Sequence, residues 1–438
     1  MSDASEALTR YFRNEAGLLV ASLTRQLGNF DLAEEAVQDA ILEAVRHWPE
    51  SGVPREPGAW LRVTARRKAA DRLRREARHR DRVELLGKME ETAPEPQHGV
   101  IDDRLVLIFM CCHPTLSREA QVALTLRSLL GLTTVQLARA FLTTDATMTK
   151  RIVRAKRKIV EARIPFAVPS GDDVKSRLAE VLTSVYVMFN EGYLSAGPSA
   201  SQRTELAADA EWLAGLLMQL MPDEPEIIGL LSLIRLHQAR RLARFDAEGD
   251  LVLLKDQDRS LWDRASIDGA LELLNSAFRF GQPGFYQAQA AIAACHATSR
   301  RWEDTDWQLI VRLYDQLLAV GDSPVAALNR AIALQYRDGP DVALAALDPM
   351  AERLSSYHLF HAARAQMLRA LGRTSEAADE DRQASRLTGN PAELQLLQRR
   401  IESDSIVQEE ADLGVRLKQC GPRADCKPGS VPPVTRGR

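Results

Sequence analysis

Two arginine- and lysine-rich segments carry the strongest chemical signal in the sequence. The first, from Arg62 to Arg82, holds ten basic residues against three acids. The second, from Lys150 to Arg163, holds seven basic residues against Glu161 alone. Guanidinium and ammonium groups at this density bind polyanions through phosphate contacts. Because the whole chain has a net charge of -3, the two segments predict two separate contacts with nucleic acid.

The second basic segment has the pattern of a helix-turn-helix between Leu132 and Lys158. A short helix is followed by Thr143 and Thr144, which are suitable caps for a second helix. One face of that second helix is apolar and packs inward, with Met148, Ile152, Ala155 and Ile159. Another face carries residue types that reach base edges in the major groove, namely Thr147, Lys150, Arg151 and Arg154. The plainer alternative is a solvated basic face on a core helix.

The first basic segment places Trp60 ahead of a series of cations. Rings that stack on bases, together with cations that hold the backbone, suit DNA whose bases are unpaired. Arginine-rich helix faces are also common as simple solvated surfaces, so this signal depends on its surroundings. The preceding helix alternates apolar residues with an acidic and amide-bearing face, formed by Asp31, Glu34, Glu35, Gln38, Asp39 and Glu43. Such a face repels DNA and selects a basic protein surface, or it is merely amphipathic.

Helices must position these residues, since alanine, leucine and arginine dominate and aromatic residues make up only 5% of the chain. We predict an all-α protein with two small helical domains, the second a helix-turn-helix, and a larger helical-repeat domain. In the first domain, Asp31 is the expected N-cap of the acidic helix and Pro49 its expected end. The predicted boundaries are 6–82 for the first domain, 83–100 for a linker, 101–165 for the second domain, 173–403 for the repeat region and 404–438 for a disordered tail.

The repeat region shows alternating helical stretches and Gly/Pro breaks. Its clearest unit, Tyr357 to Leu387, resembles a tetratricopeptide repeat with Gly372 at the turn. This region also holds many carboxylates, including Glu191, Asp256 and Asp306, which allow an enzyme as an alternative interpretation. No metal-ligand spacing, phosphate-binding loop or nucleophile accompanies them, so helix caps and bridges are the favoured interpretation.

Composition excludes several other classes. No run of eighteen apolar residues occurs, so we predict no membrane partner, and the polar N-terminus lacks the order of a secretory signal. The five cysteines have no framework spacing, which predicts a cytoplasmic protein. Cys111, Cys112 and His113 offer metal-ligand residue types, but buried packing is the stronger interpretation. We predict no metal, no cofactor and no enzymatic activity.

Three motifs in order resemble regions 2 and 4 of the extracytoplasmic-function (ECF) group of bacterial sigma factors. They are DLAEEAVQDAILEAVRHWP, GAWLRVTARRKAADRLRRE and LTTVQLARAFLTTDATMTKRIVRAKRKI. The remainder resembles the subgroup with a tetratricopeptide-like C-terminal extension, through FNEGY, DQDRSLWD, TDW, LNRA and LGRTSEA. Residues after about Ile406 match nothing in that pattern.

The resemblance implies three sets of binding residues. The resemblance assigns docking on the clamp helices of the largest RNA polymerase subunit to Asp31, Glu35, Gln38 and Asp39. It assigns recognition and opening of the promoter's minus-ten element to Trp60, Arg66, Lys68, Asp71 and Arg72. It assigns recognition of the minus-thirty-five element to Thr147, Lys150, Arg151 and Arg154. Tethering two weak DNA modules to one polymerase raises their effective concentration and selects their spacing.

The expected function is therefore promoter-specific initiation with core RNA polymerase and promoter DNA as partners. The acidic extension, with a charge of about -9 over 171–403, is expected to modulate this activity, by inhibition or by support. A regulatory protein that binds the extension is a further expected partner. The alternative is a helix-turn-helix regulator with a helical sensor domain, which leaves the acidic helix and the Trp60 segment without a role.

Overall fold

The computed structural model describes residues 16–77, 102–141, 143–170, 173–193, 200–247 and 249–404. Within these ranges the regular structure is helical, apart from an isolated bridge between Phe245 and Leu251. The all-α prediction is confirmed. None of the described helices is long and apolar enough to cross a membrane. The predicted 83–100 linker and 405–438 of the predicted tail lie outside the described residues.

Three helices form the described part of the first basic domain. They are α1 at residues 16–27, α2 at Phe30–Ser51 and α3 at Pro57–Ala77. Helices α2 and α3 pack against each other, and the residues between them buried in the interior include Ala40, Ala44 and Leu61. This hairpin brings the acidic helix and the Trp60 helix side by side.

The ends of α2 differ from the two predicted ends. Asn29, not Asp31, is the N-cap, and its side chain accepts a hydrogen bond from the Leu32 N–H at 3.1 Å. This leaves the Asp31 carboxylate outside the cap. Pro49 does not stop the helix, which continues to Ser51. Because Pro49 lies in the last turn, it removes a hydrogen bond without breaking the helix interior.

The second domain contains four helices: α4 at Asp103–Cys111, α5 at Arg118–Leu130, α6 at Thr134–Ala140 and α7 at Asp145–Glu161. Helix α4 is buried along nearly its whole length, and most of α5 is buried as well. Gly131 ends α5 in the left-handed conformation, with φ of 69°. The chain then turns into the short helix α6 and the basic helix α7.

The C-terminal region adds eleven further helices among the described residues. They are α8 at Asp173–Tyr193, α9 at Ala200–Leu220, α10 at Pro225–Gln238, α11 at Arg264–Phe278, α12 at Phe285–Thr298, α13 at Trp307–Val320, α14 at Pro324–Arg337, α15 at Pro340–Leu347, α16 at His358–Ala370, α17 at Thr374–Leu387 and α18 at residues 391–404. The predicted helix pair between Tyr357 and Leu387 is confirmed as α16 and α17. Gly372 makes the turn between them with φ of 76°. The tetratricopeptide assignment itself stays a prediction.

The chain divides into two compact units. The first comprises the described residues up to Ala243 together with Asp258–Arg300, and the second comprises Arg244–Gln257 with the described residues from Arg301 onward. Helices α1 to α12 therefore belong to the first unit, and α13 to α18 to the second. The segment predicted as one repeat region is shared between the two units.

Candidate nucleic-acid and polymerase interface

The predicted recognition helix has the geometry of a helix-turn-helix reader. Thr144 caps α7, because its hydroxyl accepts from the Thr147 N–H at 3.2 Å and lies 2.9 Å from the Thr147 hydroxyl. Ala138 on α6 is 1% exposed, as the close crossing of the two helices requires. The inward face predicted for α7 is confirmed, since Met148, Ile152, Ala155 and Ile159 are all buried.

The opposite face of α7 is available to a partner. Thr147, Lys150 and Arg154 are exposed, and neither Lys150 nor Arg154 has a recorded ion pair among the described residues. Arg151 is half-buried, and its guanidinium lies 5.7 Å from the centre of the Phe141 ring. Cation–π packing of this kind orients an arginine side chain. Three of the four predicted reader residues are therefore exposed, and the fourth packs against Phe141, which directly follows α6.

The predicted minus-ten residues lie along α3. The Trp60 ring is half-buried and packs edge-on against the Trp48 ring of α2, with centroids 5.3 Å apart. Arg66 is half-buried, with no ion pair recorded among the described residues. Asp71 pairs along the helix with Arg74 at 3.4 Å.

Two of these cations are held by the acidic helix. The Arg72 guanidinium forms ion pairs with Glu35 and with Asp39, the latter at 2.7 Å. Lys68 pairs with Glu43, and this hydrogen bond holds the pKa of the Glu43 carboxyl below its ordinary value. Two of the predicted docking acids, Glu35 and Asp39, thus neutralise one predicted minus-ten cation, Arg72, across the α2–α3 hairpin, whereas Lys68 pairs with Glu43, which lies outside the docking set.

A second contact of α2 was not predicted from the sequence. The Glu34 side chain is fully buried, with its carboxylate 2.6 Å from the Arg127 Nε and 2.7 Å from the Lys156 Nζ. The Lys156 ammonium also lies 2.5 Å from Asp31. The amide of Gln38 donates to the Arg127 carbonyl oxygen at 3.4 Å. Two of the four predicted docking residues are therefore in contact with α5 or α7. One feature of the sequence could have indicated this contact. Lys156 follows Ile152 by one helical turn, so it lies at the edge of the apolar, inward face of α7.

A polar network joins the second domain to α8. The Arg118 guanidinium donates to the Glu180 carbonyl oxygen at 3.1 Å and to the Ser184 hydroxyl at 3.2 Å, and it pairs with the Glu180 carboxylate at 2.9 Å. The Ser184 hydroxyl in turn donates to the buried Gln121 amide oxygen at 2.8 Å. Nearer the start of α8, Arg177 donates to the Phe109 carbonyl oxygen at 2.6 Å. The extension begins as a packed neighbour of α4 and α5.

The cysteines between these helices are structural. Cys111 and Cys112 are buried, and burial raises the pKa of both thiols. His113 instead faces Thr115, 2.9 Å from its hydroxyl. Among the described residues no group of three or more His, Cys, Asp or Glu side chains could hold a metal ion. The packing interpretation of the Cys111–Cys112–His113 segment fits this geometry.

Several carboxylates of the extension act as helix caps. Asp263 accepts from the Ser266 N–H at 3.0 Å, which lowers the pKa of its carboxyl, and Asp306 accepts from the Leu309 N–H at 2.8 Å. The hydrogen bonds that Asp258 accepts from Ser260 likewise lower the pKa of its carboxyl. The side chain of Glu191 lies outside the described residues. The capping role favoured from the sequence is confirmed for Asp306, and Asp258 and Asp263 cap helices in the same way.

Comparisons with known proteins agree with this arrangement. Residues 11–79 match the model of Sigma-70 region 2, and residues 107–159 match that of Sigma-70 region 4. Residues 177–278 match a family of unknown function, DUF6596. An uncharacterized protein of Rhizobium meliloti (strain 1021) is 42% identical over 407 residues, which is 91% of this chain and 96% of that protein. No solved structure matches the chain.

A helix-turn-helix paired with a second cationic helical module defines a DNA-binding transcription protein. More particularly, the chain belongs to the sigma-70 family of RNA polymerase sigma factors, with ECF-like spacing of regions 2 and 4 and an extra C-terminal domain. Core RNA polymerase and promoter DNA are its partners. The match to region 2 gives α2 and α3 the role that the alternative of a simple helix-turn-helix regulator left unassigned.

Proposed function

We propose that the chain initiates transcription through three residue sets acting together. Core polymerase is bound by Asp31, Glu35, Gln38 and Asp39 of α2. The minus-ten element is bound by Trp60, Arg66, Lys68, Asp71 and Arg72 of α3. The minus-thirty-five element is recognised by Thr147, Lys150, Arg151 and Arg154 of α7. The observation that carries the proposal is α7, whose buried apolar face orients an exposed Thr147, Lys150 and Arg154 outward on one helix.

The action proposed is binding without covalent chemistry, as is general for sigma factors. Polymerase supplies the catalysis, while the α3 cations hold phosphates and Trp60 offers a ring to an unpaired base. Both partners are cytoplasmic in bacteria, and we place the protein there.

The extension is proposed to support region 4. Helix α8 satisfies polar groups of α4 and α5 through Arg118, Ser184 and Arg177, and α9 packs against α6. Removing residues after Pro169 deletes the hydrogen bonds from Ser184 to Gln121 and from Arg177 to Phe109, and it exposes to water the surface of α4 and α5 that α8 covers. Because each such hydrogen bond contributes about 0.5–1.5 kcal/mol and buried apolar surface adds to this, region 4 then loses stability. A regulatory protein is a further partner of the extension in this proposal.

The test is transcription with purified bacterial core polymerase, followed by mapping of the start sites. The chain should confer initiation at defined promoters, and Lys150→Ala with Arg154→Ala should reduce output at least tenfold on promoters with an intact upstream element. Lys175→Ala, a substitution of an exposed lysine on α8, is the matched control and should keep normal output. A chain that never confers initiation contradicts the proposal.

The same assay tests the extension. Truncation after Pro169 should abolish output if the extension supports region 4, whereas increased output indicates inhibition. Output from core polymerase and the full chain alone also tests the regulatory partner. Full activity in that mixture contradicts a protein partner that is required for activation.

A further inference from the structure

The contact between region 2 and region 4 is centred on one buried carboxylate. Glu34 of α2 is fully buried between the Arg127 guanidinium of α5 and the Lys156 ammonium of α7, with both ion pairs shorter than 3 Å. Arg127 and Lys156 are themselves only 14% and 10% exposed. These three residues are called the Glu34 clasp below.

Close backbone packing surrounds the clasp. A methyl group added at Gly17 of α1 would lie 3.1 Å from the Leu129 backbone oxygen, so the backbones of α1 and α5 approach closely at this glycine. A methyl group added at Gly131 would lie 3.2 Å from the Ala16 Cβ and 3.4 Å from the Ile41 Cδ1. The two regions are therefore in direct van der Waals contact around the ion cluster, and no solvent layer separates them at these points.

The clasp occupies surface that the proposed function gives to polymerase. Gln38 is 7% exposed, with its amide directed at the Arg127 carbonyl oxygen, and Asp31 is paired with Lys156. A second protein surface cannot reach Gln38 while α5 stays in place. Region 4 and polymerase therefore compete for Gln38 and Asp31, two of the four proposed docking residues.

The physics of buried ion pairs makes such a contact reversible. Taking a carboxylate and two cations out of water costs free energy that their mutual attraction only roughly offsets. When the regions separate, all three charges regain water together, so separation leaves no buried charge unpaired. Replacing one of the two cations by a neutral side chain has the opposite effect, because in the closed state only it deprives the fully buried Glu34 carboxylate of one of its two charge partners. A single neutral substitution in the clasp should therefore favour the open state.

We propose that the Glu34 clasp is an autoinhibitory contact: in the free protein, region 4 covers Gln38 and holds Asp31, two of the four proposed docking residues of α2, and core polymerase must displace it. This inference rests on the proposed function of α2. The competing polymerase surface is basic, since it takes the place of Arg127 and Lys156 beside the same carboxylates. An apparent dissociation constant equals the intrinsic constant divided by the open fraction. A protein that is open about 1–10% of the time thus binds core about 10–100-fold more weakly than its open form.

The test measures affinity for core polymerase in the absence of DNA, using the fluorescence anisotropy of the labelled full-length chain. Lys156→Gln removes a clasp cation from region 4 without altering α2, and it should bind core at least fivefold more tightly than the natural chain. Lys175→Gln removes the same charge from an exposed site on α8 and should leave the affinity unchanged. Arg127→Gln is a second clasp variant, and circular dichroism establishes that each protein is folded.

A distance measurement tests the contact independently of polymerase. Cys295, Cys420 and Cys426 are first replaced by serine. Nitroxide labels are then placed at two exposed positions, Ser51 on α2 and Thr149 on α7. Pulsed electron resonance measures the distance between the labels and so reports separation of region 2 from region 4. The natural chain should give one narrow distribution, and either core polymerase or Lys156→Gln should add longer distances. Equal core affinity of the natural chain and both clasp variants overturns the clasp. If neither the natural chain nor any variant binds core polymerase, the proposed docking function of α2 is wrong. If Lys156→Gln leaves the label distances unchanged, the clasp is wrong whatever the binding result.

Discussion

Replacing Arg118 tests whether the extension stabilises region 4. The Arg118 side chain connects α5 to α8 through the Glu180 carbonyl oxygen, the Glu180 carboxylate and the Ser184 hydroxyl. Arg118→Ala deletes all of these contacts and introduces no new group. Local opening of α5 and α8 should therefore become easier in the variant, while helices remote from this network keep their stability.

The magnitude follows from burial. The Arg118 and Glu180 side chains are 32% and 34% exposed, so their ion pair contributes only about 0.5–1 kcal/mol. Ser184 is 3% exposed, and the lost hydrogen bonds to its hydroxyl and to the Glu180 carbonyl add about 1–1.5 kcal/mol together. The sum is about 2 kcal/mol. Since about 1.4 kcal/mol corresponds to a tenfold change in an equilibrium constant, the opening equilibrium should rise about 30-fold.

Hydrogen exchange followed by mass spectrometry measures this directly, because amide exchange in the native state reports local opening. Peptides from α5 and α8 should exchange about 30-fold faster in Arg118→Ala. The matched control is Arg157→Ala, which removes an arginine whose pair with Glu161 is 2.6 Å long but whose side chain is 77% exposed. That variant should change exchange less than threefold. If α5 and α8 of Arg118→Ala exchange at the natural rate, the extension does not stabilise region 4 through this network.

Three further predictions concern the extension and the reader helix. A methyl group at Gly229 would lie 2.7 Å from the Gln287 backbone nitrogen, whereas a methyl group at Gly215 would meet open space. Calorimetry should therefore show a lower melting temperature for Gly229→Ala and an equal or higher one for Gly215→Ala. The free energies of unfolding of the two variants should differ by about 2–3 kcal/mol. In DNA titrations, Arg151→Ala should lower discrimination between correct and altered upstream elements by about 1–3 kcal/mol. Lys150→Ala should reduce the slope of log affinity against log salt concentration by about 1. An equal loss of affinity for all sequences in Arg151→Ala would show that Arg151 contacts phosphate instead of a base. Burial, with the nearby Arg240 and Arg259, lowers the pKa of His296 to about 3. Below pH 6.5 the His296 imidazole binds a proton in the unfolded chain but not in the folded chain. The free energy of unfolding, measured with urea, should therefore fall by about 2 kcal/mol from pH 7 to pH 5. His296→Asn should reduce that fall, and an identical fall in both proteins would contradict the role of His296.

The reader helix was predictable because its determinants are local. The spacing of Met148, Ile152, Ala155 and Ile159 defines the inward face of α7, and Thr144 is a cap that works within one turn. The helix pair α16–α17 was predictable for the same reason, since Gly372 sits between two periodic segments. Where residues within a few positions of each other decide the structure, the sequence pattern was sufficient.

The contacts between domains were not predictable in this way. Glu34 was interpreted as one of five acids on the polar face of α2, yet its side chain is fully buried. Its partners lie 93 and 122 positions further along the chain, at Arg127 and Lys156. Periodicity assigns a residue to a face of its own helix but cannot tell which other helix covers that face. The junction through Arg118 and Ser184 escaped prediction for the same reason.

The charge pattern has a consequence for how docking and DNA binding are related. Arg72, proposed for the minus-ten element, is held by Glu35 and Asp39, which are proposed for polymerase docking. These carboxylates lower the positive potential that Arg72 offers to a phosphate. A basic polymerase surface that pairs with Glu35 and Asp39 takes over their charge and leaves the guanidinium to the DNA. From the roles proposed for these residues, we expect docking to favour minus-ten binding through direct charge exchange on the α2–α3 hairpin, without any change in the fold of region 2.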